Sequence, residues 1–279
     1  MPTAFRLPND HLTRILLQSD VGRDSLLEFL CTDSIYSFKD DFDKDDLSDY
    51  WGVAHGEIGS PTDGVTDFHF VDDAINGFIE GDPGEVDDAD IRLFSKHALW
   101  SPARRCVVQT SFDISSLTSA KFEFGFAHPS VELDSPTLSG VVLVKATPTA
   151  NELTGTFAVA VFDTDDDTNC DLTTQTAGTV ASVAQTGAPT LSVPGPISIM
   201  VAMTEGGGVR YWINGVPAGF VQTAPRTVDE TFGVLGGEAA DHGTGANMHL
   251  WFMVQNRASG VAHSTRLDYM QAWQEREIV

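Results

Sequence analysis

The densest run of potential metal ligands is 163–171, Asp163-Thr164-Asp165-Asp166-Asp167-Thr168-Asn169-Cys170-Asp171. Carboxylates at alternate positions there could supply the hard oxygens that calcium takes. A calcium loop of the helix-loop-helix kind needs Gly at 168 and a bidentate Glu at 174, and the chain has Thr168 and Thr174. The run therefore reads as a solvated acidic loop. The eight histidines are scattered and form no HxH or HExxH ligand spacing. Cys31, Cys106 and Cys170 are too far apart for a CxxC zinc or redox motif and read as buried or idle thiols. No GxSxG elbow anchors a nucleophilic serine. Gly206-Gly207-Gly208 is followed by neither a helix nor a Lys, so it is a turn and not a phosphate cradle. An exposed Trp or Tyr could stack on a sugar ring, but Trp51, Trp212, Trp251 and Trp273 sit inside strand patterns and are expected in the core. Trp100, beside Ser101-Pro102, is the tryptophan expected in a loop. From these residues the chain is expected to have no catalytic set, no cofactor and no metal.

Forty Asp and Glu against 16 Lys and Arg give the 279 residues a formal charge of -24, spread along the whole chain. Such a surface repels phosphate backbones and anionic membranes, which argues against nucleic acid and lipid as partners. No basic stripe interleaved with aromatics opposes that reading. No apolar run approaches the roughly 20 residues needed to span a bilayer. The opening MPTAFRLPNDHLTRILLQSD lacks an uninterrupted apolar core of the signal-peptide kind. The mature chain is accordingly expected to start here and not to use the general export route. With 42% hydrophobic residues the composition supports a sizeable core.

Two kinds of element would have to position any site. In 9–31, Asn9 or Asp10 can cap a helix with Leu12, Ile15 and Leu16 at i, i+3, i+4, and Leu26, Leu27 and Leu30 suggest a second short helix after Gly22. A pair this small must bury its stripe on the rest of the chain or on a neighbouring molecule. From Phe38 onward the pattern is strand and turn, with candidate strands at 67–71, 75–79, 90–94, 106–112, 121–127, 140–145, 156–162, 197–203, 209–213, 219–222, 249–254 and 265–273. Alternation is visible in Phe122, Phe124 and Phe126. Asn214-Gly215 predicts a two-residue type I′ hairpin, since both central positions need positive φ. Many short strands without long helices between them mean a sandwich or barrel. The expected organisation is a helical arm, 1–37, and one β domain, 38–279.

Three segments resemble the concanavalin-like jelly roll of legume lectins, laminin-G-like modules and many glucanases. They are Phe38-Lys39-Asp40-Asp41-Phe42-Asp43 with Tyr50-Trp51, the hairpin 209–216, and the tail Leu267-Asp268-Tyr269-Met270-Gln271-Ala272-Trp273. The resemblance implies an all-β, two-sheet antiparallel jelly-roll sandwich, with an aromatic pair closing one end and the last strand pairing beside the first. Retaining glucanases of this fold carry Glu-x-Asp-x-x-Glu on one strand, with the two Glu carboxyls about 5 Å apart. The nearest match is Glu132-Leu133-Asp134-Ser135-Pro136-Thr137. Thr137 cannot replace the acid/base, and Pro136 would interrupt a central strand.

The chain also resembles jelly-roll proteins that decorate tailed-phage heads. That resemblance implies a structural virion protein, not an enzyme, made in the host cytoplasm and placed on the capsid surface. Its partners would be the viral major capsid protein and other copies of itself, as a homo-oligomer and specifically a trimer. The alternative expectation is a lectin-like module that binds glycans, with calcium in one version, near Trp100 and the 163–171 loop. A glycoside hydrolase ranks third.

Overall fold

The computed structural model describes residues 35–43, 47–55, 68–70, 77–127, 157–165, 169–176, 179–183, 191–193, 195–203, 208–221, 247–261 and 263–275. The expected helical arm, apart from its last three residues, and the candidate strand at 140–145 lie outside these. Among the described residues fifteen strands follow one another: β1 Ile35–Asp40, β2 Trp51–His55, β3 His69–Phe70, β4 Ile79–Gly81, β5 Asp90–Ser95, β6 Val107–Ile114, β7 Ala120–Ala127, β8 Phe157–Asp163, β9 Cys170–Thr176, β10 Thr179–Val183, β11 Ile197–Met203, β12 Val209–Ile213, β13 Val216–Val221, β14 His249–Asn256 and β15 Thr265–Glu275.

They form two antiparallel sheets. The eight-stranded sheet runs β13-β12-β11-β6-β15-β4-β3 with β1 also on β15, and the seven-stranded sheet runs β10-β9-β8-β7-β14-β5-β2. This is the all-β jelly-roll sandwich that the sequence led one to expect. Period-two alternation turns Phe122, Phe124 and Phe126 of β7 inward, where they join Leu250, Phe252 and Val254 of β14 and Phe112 of β6 in one buried cluster. The rings of Phe112 and Phe252 meet edge-on with centroids 5.1 Å apart, a geometry that aromatic quadrupoles favour. Asn214 (φ 48°) and Gly215 (φ 81°) make the β12–β13 turn, with both central residues left-handed as a type I′ hairpin requires.

The aromatic closure is also present. Phe38 stacks on Tyr50 with centroids 4.1 Å apart, Trp51 meets Tyr50 edge-on at 5.0 Å, and the Trp51 indole N–H donates to Asp40 over 2.8 Å. The last strand lies beside the first, with Ile35 opposite Glu275 and Asp40 opposite Met270. Ile35, Tyr36 and Ser37, read from sequence as the end of the arm, belong to β1. Three further strands, β2, β9 and β10, were not expected. The last two are rich in Thr and Ser and carry little apolar alternation to announce them.

Trp100 is not a loop residue open to ligand. It is fully buried, bridges Met248 through two backbone hydrogen bonds, and donates its indole N–H to the Tyr50 hydroxyl over 3.1 Å. The flanking Ser101-Pro102 opens a short 3-10 turn, Pro102–Arg104, rather than a solvent-exposed loop.

Candidate functional site

Each sheet has an inner face on the core and an outer face that could carry chemistry. The outer face of the seven-stranded sheet is ordered in rows by register. The first row is Asp163 (β8), Lys121 (β7), Gln255 (β14) and Asp90 (β5). The second is Val161, Glu123, Met253 and Arg92, and the third is Val159, Gly125, Trp251 and Phe94. The face thus grades from charged to apolar along the strands. Lys121, Glu123, Arg92 and Trp251 are all 0% exposed and Asp90 only 1%, so this face is closed to solvent and its charges must be paired where they stand.

The pairing is extensive. Asp90 holds Arg92 with both carboxylate oxygens, one contact being Nη2–Oδ2 at 2.9 Å. Lys121 lies 3.3 Å from Asp163 and 3.6 Å from Glu123, and Glu123 accepts the Trp251 indole N–H over 3.1 Å. Arg257 grips Asp163 through Nε and Nη2, at 3.0 and 3.1 Å, and reaches Asp165 at 3.2 Å and Asp88. Burial alone would lower the Arg257 pKa, but Asp163, Asp165 and Asp88 outweigh it and raise it.

Gly125 fits this face for a steric reason. Its φ is +154°, and a Cβ there would lie 2.1 Å from the Ala158 carbonyl oxygen of β8. Such a sealed, mutually neutralising network holds strands together, and as it stands no substrate reaches it.

Sequence reasoning missed this network because Lys121 and Glu123 alternate with phenylalanines, the pattern of any half-buried strand. In the acidic run, Asp163 and Asp165 serve Arg257 and Cys170 starts β9, while 166–168 lie outside the described residues. No group of three or more possible metal ligands occurs among the described residues. Cys106 and Cys170 are buried free thiols whose pKa burial pushes up, and Cys31 is outside the described residues. The 132–137 segment is likewise outside.

The outer face of the eight-stranded sheet is open around Asp268. On one side of β15, Thr265–Leu267 pair with β4 and Met270–Glu275 with β1, leaving Asp268 between the two ladders. On the other side the register with β6 slips between Leu267 and Tyr269, so Asp268 is the extra residue of a β-bulge. Here lie two cavities of about 250 and 290 Å³ that share Asp113, Pro196 and Arg266. Phe78, Ser111 and Asp268 line the first. Arg266 is pinned by Glu80 at 2.9 Å and lies over the Phe78 ring at 5.2 Å, and Glu80 also accepts from the Ser264 hydroxyl over 2.7 Å. Burial, with Asp41 and Asp113 nearby, raises the Asp268 pKa against the opposing pull of Lys39.

No family model matches the chain, and no curated protein matches its sequence. Solved structures do match. Protein SO2946 of Shewanella oneidensis MR-1, of unknown function, is 10% identical with TM-score 0.50, covering 100% of this chain and 98% of that one. The Emp47p carbohydrate recognition domain is 11% identical with TM-score 0.50, over 88% of this chain and 98% of that one. The Bacillus licheniformis beta-glucanase is 9% identical with TM-score 0.51, over 86% of this chain and 98% of that one. The glucanase corrects one expectation. The same sandwich serves an enzyme, so the absence of a recognisable Glu-x-Asp-x-x-Glu strand does not exclude activity. At these identities the likeness establishes the fold, and the fold is the concanavalin-like jelly roll shared by lectins and glucanases.

Proposed function

We propose that the protein is a lectin-like module that binds a neutral saccharide in the groove at Asp268. The observation that carries this reading is the bulge, which turns a carboxylate outward beside Asp113, a pinned guanidinium and an aromatic wall. Vicinal hydroxyls need acceptors and donors at fixed positions, which Asp113, Asp268 and Arg266 supply, and the C–H faces of a pyranose need apolar walls, which Phe78 and Pro196 supply. Acidic sugars are disfavoured by the carboxylates and by the charge of -24. The seat over Phe78 is already taken by Arg266, so a second cation would be repelled. The test is calorimetric titration of the intact chain with maltotriose, cellotriose and N,N′-diacetylchitobiose, with sialyllactose and tetralysine as charged probes. One neutral sugar should bind, and Asp113→Ala with Asp268→Ala should weaken it about tenfold or more. Binding of tetralysine alone, or sugar binding indifferent to both substitutions, would overturn the reading.

The virion reading is retained as the second one. It is favoured by the sealed outer face of the seven-stranded sheet, which suits a rigid display body, and by the apolar stripes read in the sequence of 9–31. In this reading the protein docks on a tailed-phage shell through its major capsid protein and associates as a trimer. Light-scattering mass in solution and cosedimentation with assembled shells decide it; a monomer that ignores shells ends it.

A further inference from the structure

At one end of the sandwich, three connections meet over His263: 82–89 between β4 and β5, 115–119 between β6 and β7, and 257–264 between β14 and β15. Asn256 ties the first to the third, its side-chain amide donating to the carbonyls of Gly84 and Val86 over 3.2 Å and to that of Val261. The Gly260 amide adds a bond to Glu85 over 2.8 Å, and the Arg257 amide reaches Ser119 over 2.8 Å. His263 is fully buried beneath this junction. Its Nε2 lies 2.8 Å from the Ser119 carbonyl oxygen, so Nε2 carries the proton, and its Nδ1 has no hydrogen-bond partner among the described residues. A neutral ring satisfies the site with one donor. A doubly protonated ring would bring a second N–H with nothing to accept it, inside a buried junction, at the cost of an unsatisfied and charged donor.

We propose that this junction is an acid-sensitive latch: a second proton on His263 expels the ring and releases the three loops while both sheets stay intact. The charges around the ring are known by element. The 82–89 connection carries Asp82, Glu85, Asp87 and Asp88, of which Asp82 is the one that favours the charged ring. The 115–119 connection carries no titratable side chain. On the third connection, Arg257 is committed to Asp163, Asp165 and Asp88, and on β4 Glu80 is committed to Ser264 and Arg266. Burial is the dominant influence and lowers the His263 pKa, opposed by the bond to Ser119 and by Asp82. The sign follows. The released ring takes up its proton at the ordinary histidine pKa of about 6.5, above that of the latched ring. Release is therefore indifferent to pH at and above neutrality, and becomes easier as pH falls from about 6.5 through the lowered value.

Hydrogen exchange of the intact chain, followed by mass spectrometry and corrected for intrinsic rates, tests this between about pH 7.5 and 5. Amides in 82–89, 115–119, 257–261 and 263–264 should keep their protection down to about pH 6.5 and lose it below that with a slope approaching tenfold per pH unit, one proton being taken up per release. Amides of β7 and β14 should keep theirs. His263→Gln should flatten the response. If that variant fails to fold, Asp82→Asn serves instead: without the charge that favours the protonated latched ring, the onset near pH 6.5 should stay and the loss of protection should continue to lower pH before levelling off. Loss of protection in the sheets at the same pH, a pH-independent junction, or an Asp82→Asn response that levels off at the same pH as in the parent chain would each overturn the latch.

Discussion

The outer face of the seven-stranded sheet and that of the eight-stranded sheet handle charge in opposite ways. On the first, Lys121, Glu123 and Arg92 are cut off from water and held by partners on the same and neighbouring strands. On the second, Arg266 and its partner Glu80 keep 53% and 23% of their side-chain exposure. Desolvation makes each buried charge dependent on its partner, whereas water screens the exposed pair and leaves both charges available to a ligand. One outer face is therefore closed around its charges, and the other leaves an ion pair open to solvent.

Substitutions on the two faces should separate by size. Lys121→Ala removes a buried cation from between Glu123 and Asp163, and should cost about 3–5 kcal/mol in urea unfolding. A cost below that of an exposed pair would erase the contrast between the faces. Gly125→Ala forces a methyl against the Ala158 carbonyl oxygen at a backbone angle that side chains rarely adopt. About 1–3 kcal/mol should be lost, and a crystal structure of the variant should show β7 and β8 pushed apart. Between the sheets, the Tyr211 hydroxyl donates to the Cys170 carbonyl over 2.8 Å in the core. Tyr211→Phe should lower stability by about 1 kcal/mol. Arg266→Ala closes the series at about 0.5 kcal/mol or less in thermal unfolding, while removing the guanidinium from the groove. A larger loss would mean that Arg266 supports the sheet rather than a ligand.

The framework was easier to read in the sequence than its surfaces. Asn214-Gly215 names a backbone conformation, and the three alternating phenylalanines of β7 name a strand with one apolar side, so both are legible locally. Whether the other side of β7 is wet is a tertiary property. Lys121 and Glu123 look the same under a cover as they would in water. The 163–171 run, read as a solvated acidic loop, misled for the same reason, since nothing in its residue types shows that Arg257, 94 residues from Asp163, holds both Asp163 and Asp165. Trp100 was misjudged because Pro102 suggests a loop, although a 3-10 turn accepts proline at its start equally well. The bulge at Asp268 had no signal in residue type. It lies where β15, slipping against β6, faces the gap between β4 and β1.

The pairing of β1 with β15 sets Ile35 opposite Glu275, so the start of β1 and the end of β15 lie at one corner of the sandwich. Joining those two positions by a short flexible linker should give a circular permutant whose new ends lie at Asn214-Gly215, a turn at the far side of the hairpin. By the same geometry, anything tethered before β1 and anything tethered after β15 compete for a single anchoring point.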